Sequence, residues 1–100
     1  MPLLIKNGRA ELRNDKTGSL IRSFGSNVID GDYDQNEELV LLVLRSGKVE
    51  LRSSKTGSLK RTFPGPCDKA TFSEGEVLLR KDDGRHELRR IATGSLIRSY

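Results

Sequence analysis

The chain has 100 residues, of which 34% are hydrophobic and 32% are charged, and its formal net charge is +4. Its longest apolar run, Leu39–Leu44, is much shorter than the roughly 18 residues of a membrane span, and "MPLLIKN" lacks the features of a signal peptide. We therefore expect a chain outside any membrane, and its length and composition predict a single domain over residues 1–100. Its one cysteine, Cys67, cannot form an intrachain disulfide, so we expect a cytoplasmic location.

Three similar segments follow one another along the chain, at residues 7–24, 46–63 and 83–100. They read "NGRAELRNDKTGSLIRSF", "SGKVELRSSKTGSLKRTF" and "DGRHELRRIATGSLIRSY", and the first two agree at eleven of eighteen positions. A glycine recurs 39 and then 37 residues apart, at Gly8, Gly47 and Gly84. A period of roughly 20–50 residues is typical of repeat proteins, whose units need neighbours to bury their apolar faces. The sequence therefore predicts units of about 1–24, 25–63 and 64–100.

Each unit contains the same predicted elements in the same order. A short apolar run of strand length, such as Leu39–Leu44, leads to a turn with glycine and then to a strand of alternating apolar and charged residues. A Thr-Gly-Ser turn follows, where glycine can adopt positive φ without steric cost, and the chain returns as another strand. One more strand is predicted in the spacer, where Gly31 aligns with Ala70 and the inserted Glu37 and Glu38 explain the longer first period.

Four short antiparallel strands per repeat of about 38 residues are typical of a propeller blade. The segment "ATFSEGEVLLRKDDGRHELRRIATGSLIRSY" resembles a blade of the WD-repeat β-propeller family in the order of its strands and of its acidic-Gly, Asp-Gly and Thr-Gly turns. The family's Gly-His pair is missing, and its Trp-Asp pair is replaced by Arg13-Asn14, Arg52-Ser53 and Arg89-Arg90. The resemblance implies an all-β fold of eleven strands, about 2.75 blades, which oligomerisation would complete. A plain antiparallel meander or β-roll is the structural alternative.

The repeated "KTGSL" at residues 16–20 and 55–59 is interpreted as a turn rather than a catalytic signature. Lys-Thr-Gly is one element of serine acyl-enzymes such as penicillin-binding proteins, but their Ser-x-x-Lys element does not occur in this chain. Ser46-Gly47-Lys48 lacks the upstream glycine and the following hydroxyl residue of a phosphate-binding loop. We therefore predict that the chain is not an enzyme and has no catalytic or cofactor-binding residues.

The one acidic cluster, "DGDYDQNEE", carries Asp30, Asp32 and Asp34 at alternate positions, as at the start of a calcium-binding loop. That loop would need glycine where Gln35 stands and glutamate at its twelfth position, where Leu41 stands. In a strand, the three carboxylates would share one face. We interpret them as a solvated or Arg-paired face and predict no metal site.

His86 and Cys67 are the only residues of their types, so one chain cannot supply a cluster of zinc ligands. His86 aligns with Ala10 and Val49, which predicts a half-buried strand position; a general base there is the alternative. Cys67 follows two prolines and is predicted in a loop or at the start of a strand.

Basic residues recur at three sets of equivalent positions, which are Arg9/Lys48/Arg85, Arg13/Arg52/Arg89 and Arg22/Arg61/Arg98. Stacked units would align each set into a row that could attract a polyanion by counterion release. The competing interpretation is that the basic residues pair across hairpins with the equally repeated carboxylates of Glu11, Glu50 and Glu87.

Two functions from different classes remain. The first is a non-enzymatic binding or scaffold module that self-associates, because fewer than three blades leave unpaired strand edges. A homodimer that completes a ring of about six blades is the simplest assembly, a trimer is the next, and another protein is a further candidate partner. The alternative is a basic surface that binds nucleic acid or another polyanion, which the small number of aromatic residues for base stacking does not favour.

Overall fold

The computed structural model describes residues 3–14, 16–25, 27–63 and 65–100. The predicted unit boundaries at residues 1 and 64 lie outside the described residues. All eleven predicted strands are present, and they are β1 Leu3–Lys6, β2 Arg9–Arg13, β3 Leu20–Phe24, β4 Val28–Asp34, β5 Leu39–Leu44, β6 Val49–Ser53, β7 Leu59–Phe63, β8 Cys67–Ser73, β9 Glu76–Lys81, β10 His86–Arg90 and β11 Leu96–Ser99. Within the described ranges, no helix is long and apolar enough to cross a membrane.

The strands form three antiparallel sheets in which consecutive strands pair. The first sheet is β1–β3, the second is β4–β7 and the third is β8–β11, so the predicted division into three, four and four strands is confirmed. The pairing register shifts at the same place in each sheet, directly before Arg13, Arg52 and Arg89. A bulge of this kind bends the strand and re-aims the side chains next to it.

Apolar side chains fill the two interfaces between consecutive sheets. The interface of the first and second sheets contains Leu3, Ala10, Leu12, Phe24, Val28, Val40 and Leu42. The interface of the second and third sheets contains Leu39, Leu41, Val43, Val49, Leu51, Phe63, Cys67, Ala70, Val77 and Leu79. Because residues that alternate along a strand point to opposite faces, β5 contributes to both interfaces, which explains why its sequence, "LVLLVL", is apolar throughout.

The three Thr-Gly turns share one backbone conformation. Gly18, Gly57 and Gly94 adopt φ values of 72°, 77° and 76°, and each glycine N–H donates to the carbonyl four residues earlier at 2.8 to 2.9 Å. The Thr and Ser hydroxyls that flank each glycine lie 2.7 to 2.8 Å apart. The interpretation of the repeated "KTGSL" as a hairpin turn is confirmed.

Candidate interaction surfaces

Each Thr-Gly turn is held by an arginine from the strand that precedes it. The Nη1 groups of Arg13, Arg52 and Arg89 donate at 2.8 to 2.9 Å to the carbonyl oxygens of Gly18, Gly57 and Gly94. Their Nε groups donate at 3.0 to 3.2 Å to the glutamate two residues earlier in the same strand, Glu11, Glu50 or Glu87. The predicted Glu-Arg pairs are therefore present, but they lie along one strand and not across a hairpin, because the bulge turns the arginine towards the turn. Across the β9–β10 hairpin, Glu87 also lies 3.8 Å from Nζ of Lys81.

A second set of equivalent arginines joins neighbouring sheets, in an arrangement that we name the arginine clasp. Arg22 in β3 donates through Nη2 to the carbonyl oxygen of Lys55, in the Thr-Gly turn of the second sheet. Arg61 in β7 donates to three carbonyls in the Thr-Gly turn of the third sheet, those of Ile91 at 3.2 Å, Ala92 at 2.6 Å and Thr93 at 2.8 Å. These arginines therefore connect blades rather than form an open basic row.

Only one half of a clasp is present at each end of the stack. Arg98 in β11 is the third equivalent arginine, but it is exposed and no sheet follows the third one in the described chain. The Thr-Gly turn of the first sheet, at residues 16–20, is the third equivalent turn, and no sheet precedes it among the described residues. The end surfaces thus carry one donor without an acceptor turn and one acceptor turn without a donor.

Replacing Gly57 by valine tests the clasped turn. We expect the free energy of unfolding to fall by about 1–2 kcal/mol, because valine is strained at positive φ. A Cβ atom would also lie 3.3 Å from Cδ of Arg22. Chemical denaturation measures the loss of stability. The control is Gly18→Val, which has a similar φ but nothing within 4 Å of its Cβ, so it isolates the strain at positive φ from the contact with Arg22. An unchanged unfolding midpoint for Gly57→Val would contradict the turn conformation.

The acidic cluster also joins two sheets. Oδ2 of Asp30 accepts from the backbone N–H of Ala70 at 3.4 Å, and Oδ2 of Asp32 accepts from that of Phe72 at 2.8 Å. These two half-buried carboxylates therefore contact backbone groups of β8, which the interpretation as a solvated or Arg-paired face does not include. Asp34 instead accepts from two N–H groups in the following turn. In the described part of the chain, no group of three or more His, Cys, Asp or Glu residues is arranged to hold a metal ion.

His86 and Cys67 both occupy packed positions. His86 begins β10, is half-buried as predicted, and stacks on Tyr100 with the ring centres 5.6 Å apart. Cys67 begins β8, as predicted, and is buried in the interface of the second and third sheets. Burial raises the pKa of the Cys67 thiol, which keeps it protonated at neutral pH.

The outward face of the third sheet differs in polarity from the equivalent face of the second sheet. Four apolar residues of the second sheet, Leu39, Val43, Val49 and Phe63, are replaced at the matching positions by Glu76, Arg80, His86 and Tyr100. Arg80 donates to Asp68 at 2.7 Å, and this hydrogen bond lowers the pKa of the Asp68 carboxyl. The end face is therefore polar around a smaller apolar centre, which includes the half-buried Leu78 and Leu88.

Meander sheets that pack face to face and repeat every 37 to 39 residues are the blades of a β-propeller, so the resemblance found in the sequence is confirmed. The chain is similar to Sqt1 from Saccharomyces cerevisiae, with a TM-score of 0.78 and 14% identity over 93% of this chain and 27% of that one. It is also similar to BamB from Moraxella catarrhalis, with a TM-score of 0.75 and 15% identity over 98% of this chain and 31% of that one.

The similarity to these two proteins establishes the fold alone. No protein-family model and no curated protein sequence matches the chain. The chain spans less than a third of the length of each of the two propeller structures.

Proposed function

We propose that this chain is a non-enzymatic binding or scaffold module that self-associates through the outward faces of its first and third sheets. The observation that carries the proposal is the pair of unmatched clasp halves, Arg98 at one end and the turn at residues 16–20 at the other. Inside the chain, the same two features meet twice, each time beside an apolar interface. A second copy would supply what each end lacks.

The simplest assembly is a homodimer in which both ends of each chain contact the partner. Two copies would give a ring of about six blades, within the usual range of propellers, and a trimer is the next choice. A closed ring covers the outward faces of the first and third sheets, which a lone copy exposes. Another protein with a matching blade face is a further candidate partner.

The environment of the two most reactive side chains supports a binding role. Cys67 is buried with a raised pKa, so it is a poor nucleophile, and His86 packs against Tyr100. A cytoplasmic location stays a prediction.

Gel filtration coupled to light scattering tests the self-association. At micromolar protein, we expect a mass of about twice the 11.2 kDa of the chain, because each copy offers two half-interfaces. A mass of 11.2 kDa that persists as the protein concentration is raised would contradict the proposal.

The alternative, a surface for nucleic acid or another polyanion, is supported by the row of Arg9, Lys48 and Arg85, which are all exposed. Of the other two rows, Arg13, Arg52 and Arg89 hold turns, and Arg22 and Arg61 hold neighbouring sheets, which leaves Arg98. The dependence of binding on ionic strength distinguishes the two proposed functions. Binding to a DNA oligonucleotide should weaken steeply as ionic strength rises, whereas association of blades should change little.

A further inference from the structure

We propose that Arg98 of one copy inserts into the Thr-Gly turn at residues 16–20 of a second copy and forms there a third arginine clasp. This inference rests on the proposed self-association and names the contact that directs it. The contact is head to tail, because the donor lies on the third sheet and the acceptor lies on the first.

The sequence of the proposed clasp repeats that of the first internal clasp. The donor strand at residues 96–99 reads "LIRS", as does the donor strand at residues 20–23, which contains Arg22. The acceptor turn at residues 16–20 reads "KTGSL", as does the turn at residues 55–59 that Arg22 contacts. A donor and an acceptor that already bind each other within the chain are therefore present a second time, one at each end.

The acceptor turn of the first sheet already has the conformation that binds arginine in the other two sheets. Its Gly18 N–H donates to the carbonyl of Asn14 at 2.8 Å, and the hydroxyls of Thr17 and Ser19 lie 2.8 Å apart. Arg13 holds the turn from within its own sheet. The carbonyls of Lys16 and Thr17 match those of Ala92 and Thr93, which receive Arg61.

The space for the incoming guanidinium is open in the first sheet and filled in the other two. A Cβ atom on Gly57 would lie 3.3 Å from Cδ of Arg22, and one on Gly94 would lie 3.0 Å from Cδ of Arg61. A Cβ atom on Gly18 would meet nothing within 4 Å. Arg98 of a second copy fits this space.

Other features make the junction between copies depend on the clasp. The carboxylates of Asp30 and Asp32 join the second sheet to β8, but Lys69 and Thr71 stand at the matching positions of the third sheet. In its described part, the first sheet has no strand equivalent to β8, so it also lacks the N–H groups that such carboxylates would contact. The outward face of the third sheet is also partly polar. We therefore expect the contact between copies to depend on Arg98 more than the internal interfaces depend on Arg22 and Arg61.

Two single variants test the clasp from its two sides. Arg98→Ala removes the donor, and Gly18→Asn fills the open space with a residue that tolerates positive φ. Sedimentation equilibrium should show the dissociation constant of each variant raised about 10-fold or more, the usual cost of losing hydrogen bonds from a charged group. The matched control, Arg85→Ala, removes an exposed arginine from the turn between β9 and β10, outside the clasp, and should not change the dissociation constant. Circular dichroism verifies that all three variants remain folded.

Mixing the two weakened variants tests the head-to-tail arrangement. The mixture contains one intact pair, Arg98 of the Gly18→Asn chain and the turn of the Arg98→Ala chain, so mixed dimers should form at concentrations where each variant alone is monomeric. Absence of mixed dimers would overturn the head-to-tail clasp. A wild-type dimer that neither variant weakens would overturn the clasp alone, whereas a monomeric wild type would overturn the self-association and the clasp together.

Discussion

Truncating Leu42 to alanine is expected to lower the free energy of unfolding by about 3 kcal/mol, the usual cost of removing a buried leucine side chain. Leu42 lies in the middle of β5, is only 1% exposed, and packs in the interface of the first and second sheets. The truncation leaves a cavity because rigid strands on both sides limit the collapse of the surrounding side chains. Denaturant-induced unfolding followed by circular dichroism measures the effect.

Leu4 provides the matched control for this truncation. It occupies the position in β1 that Leu42 occupies in β5, but it is 47% exposed because it lies on the outward face of the first sheet. Leu4→Ala should change the stability much less than Leu42→Ala, provided that the protein is dilute enough to be monomeric. Equal losses for the two variants would contradict the order in which the sheets stack.

The sequence predicted the strands and turns well because both depend on local residue types. Each Thr-Gly turn needs a residue with positive φ, and the glycine that supplies it recurs in all three repeats. Alternation of apolar and charged residues marks a strand with one buried face. The insertion of Glu37 and Glu38 falls in the turn between β4 and β5, where extra residues do not disturb pairing.

The clasps were not predicted, because the acceptors are backbone carbonyls that carry no residue-type signature. Arg61 contacts carbonyls about thirty residues further along the chain, and Asp32 contacts an N–H group forty residues away. The recurrence of arginine at the third position of "LIRS" and "LKRT" is visible in the sequence, but it suggests either a basic row or pairing with the repeated glutamates. The signal that could have favoured a contact was the joint recurrence of the arginine and of the turn that it binds.

The polarity of the outward face of the third sheet can be predicted from the sequence only when the order in which the sheets stack is known. β5 is apolar on both faces because sheets cover it on both sides, whereas β9, "EVLLRK", buries Val77 and Leu79 and turns Glu76 and Arg80 outward. Read alone, β9 is an ordinary half-buried strand. Its alignment with β5 is what shows that the outward face of the third sheet is more polar than the equivalent face of the second sheet.

Replacing Arg61 by alanine is expected to lower the free energy of unfolding by about 2 kcal/mol, because hydrogen bonds from a charged donor contribute more than neutral ones. Its guanidinium bonds the carbonyls of Ile91, Ala92 and Thr93, and the truncation would leave all three to find water at the edge of the interface. Arg61→Lys should recover only part of the loss, since a single ammonium cannot reproduce the planar fork of the guanidinium. Denaturant-induced unfolding at low protein concentration measures both variants.

Arg98→Ala is the control for this prediction, because it removes the equivalent arginine from a strand that has no following turn in the described chain. In the monomer, it should leave the unfolding midpoint unchanged, since no acceptor is lost. At higher protein concentration, where the proposed assembly forms, it should lower the apparent stability, because binding between folded copies adds to stability by mass action. A loss of stability for Arg98→Ala in dilute monomer as large as that for Arg61→Ala would show that these arginines stabilise their own sheets, and the clasp would be wrong.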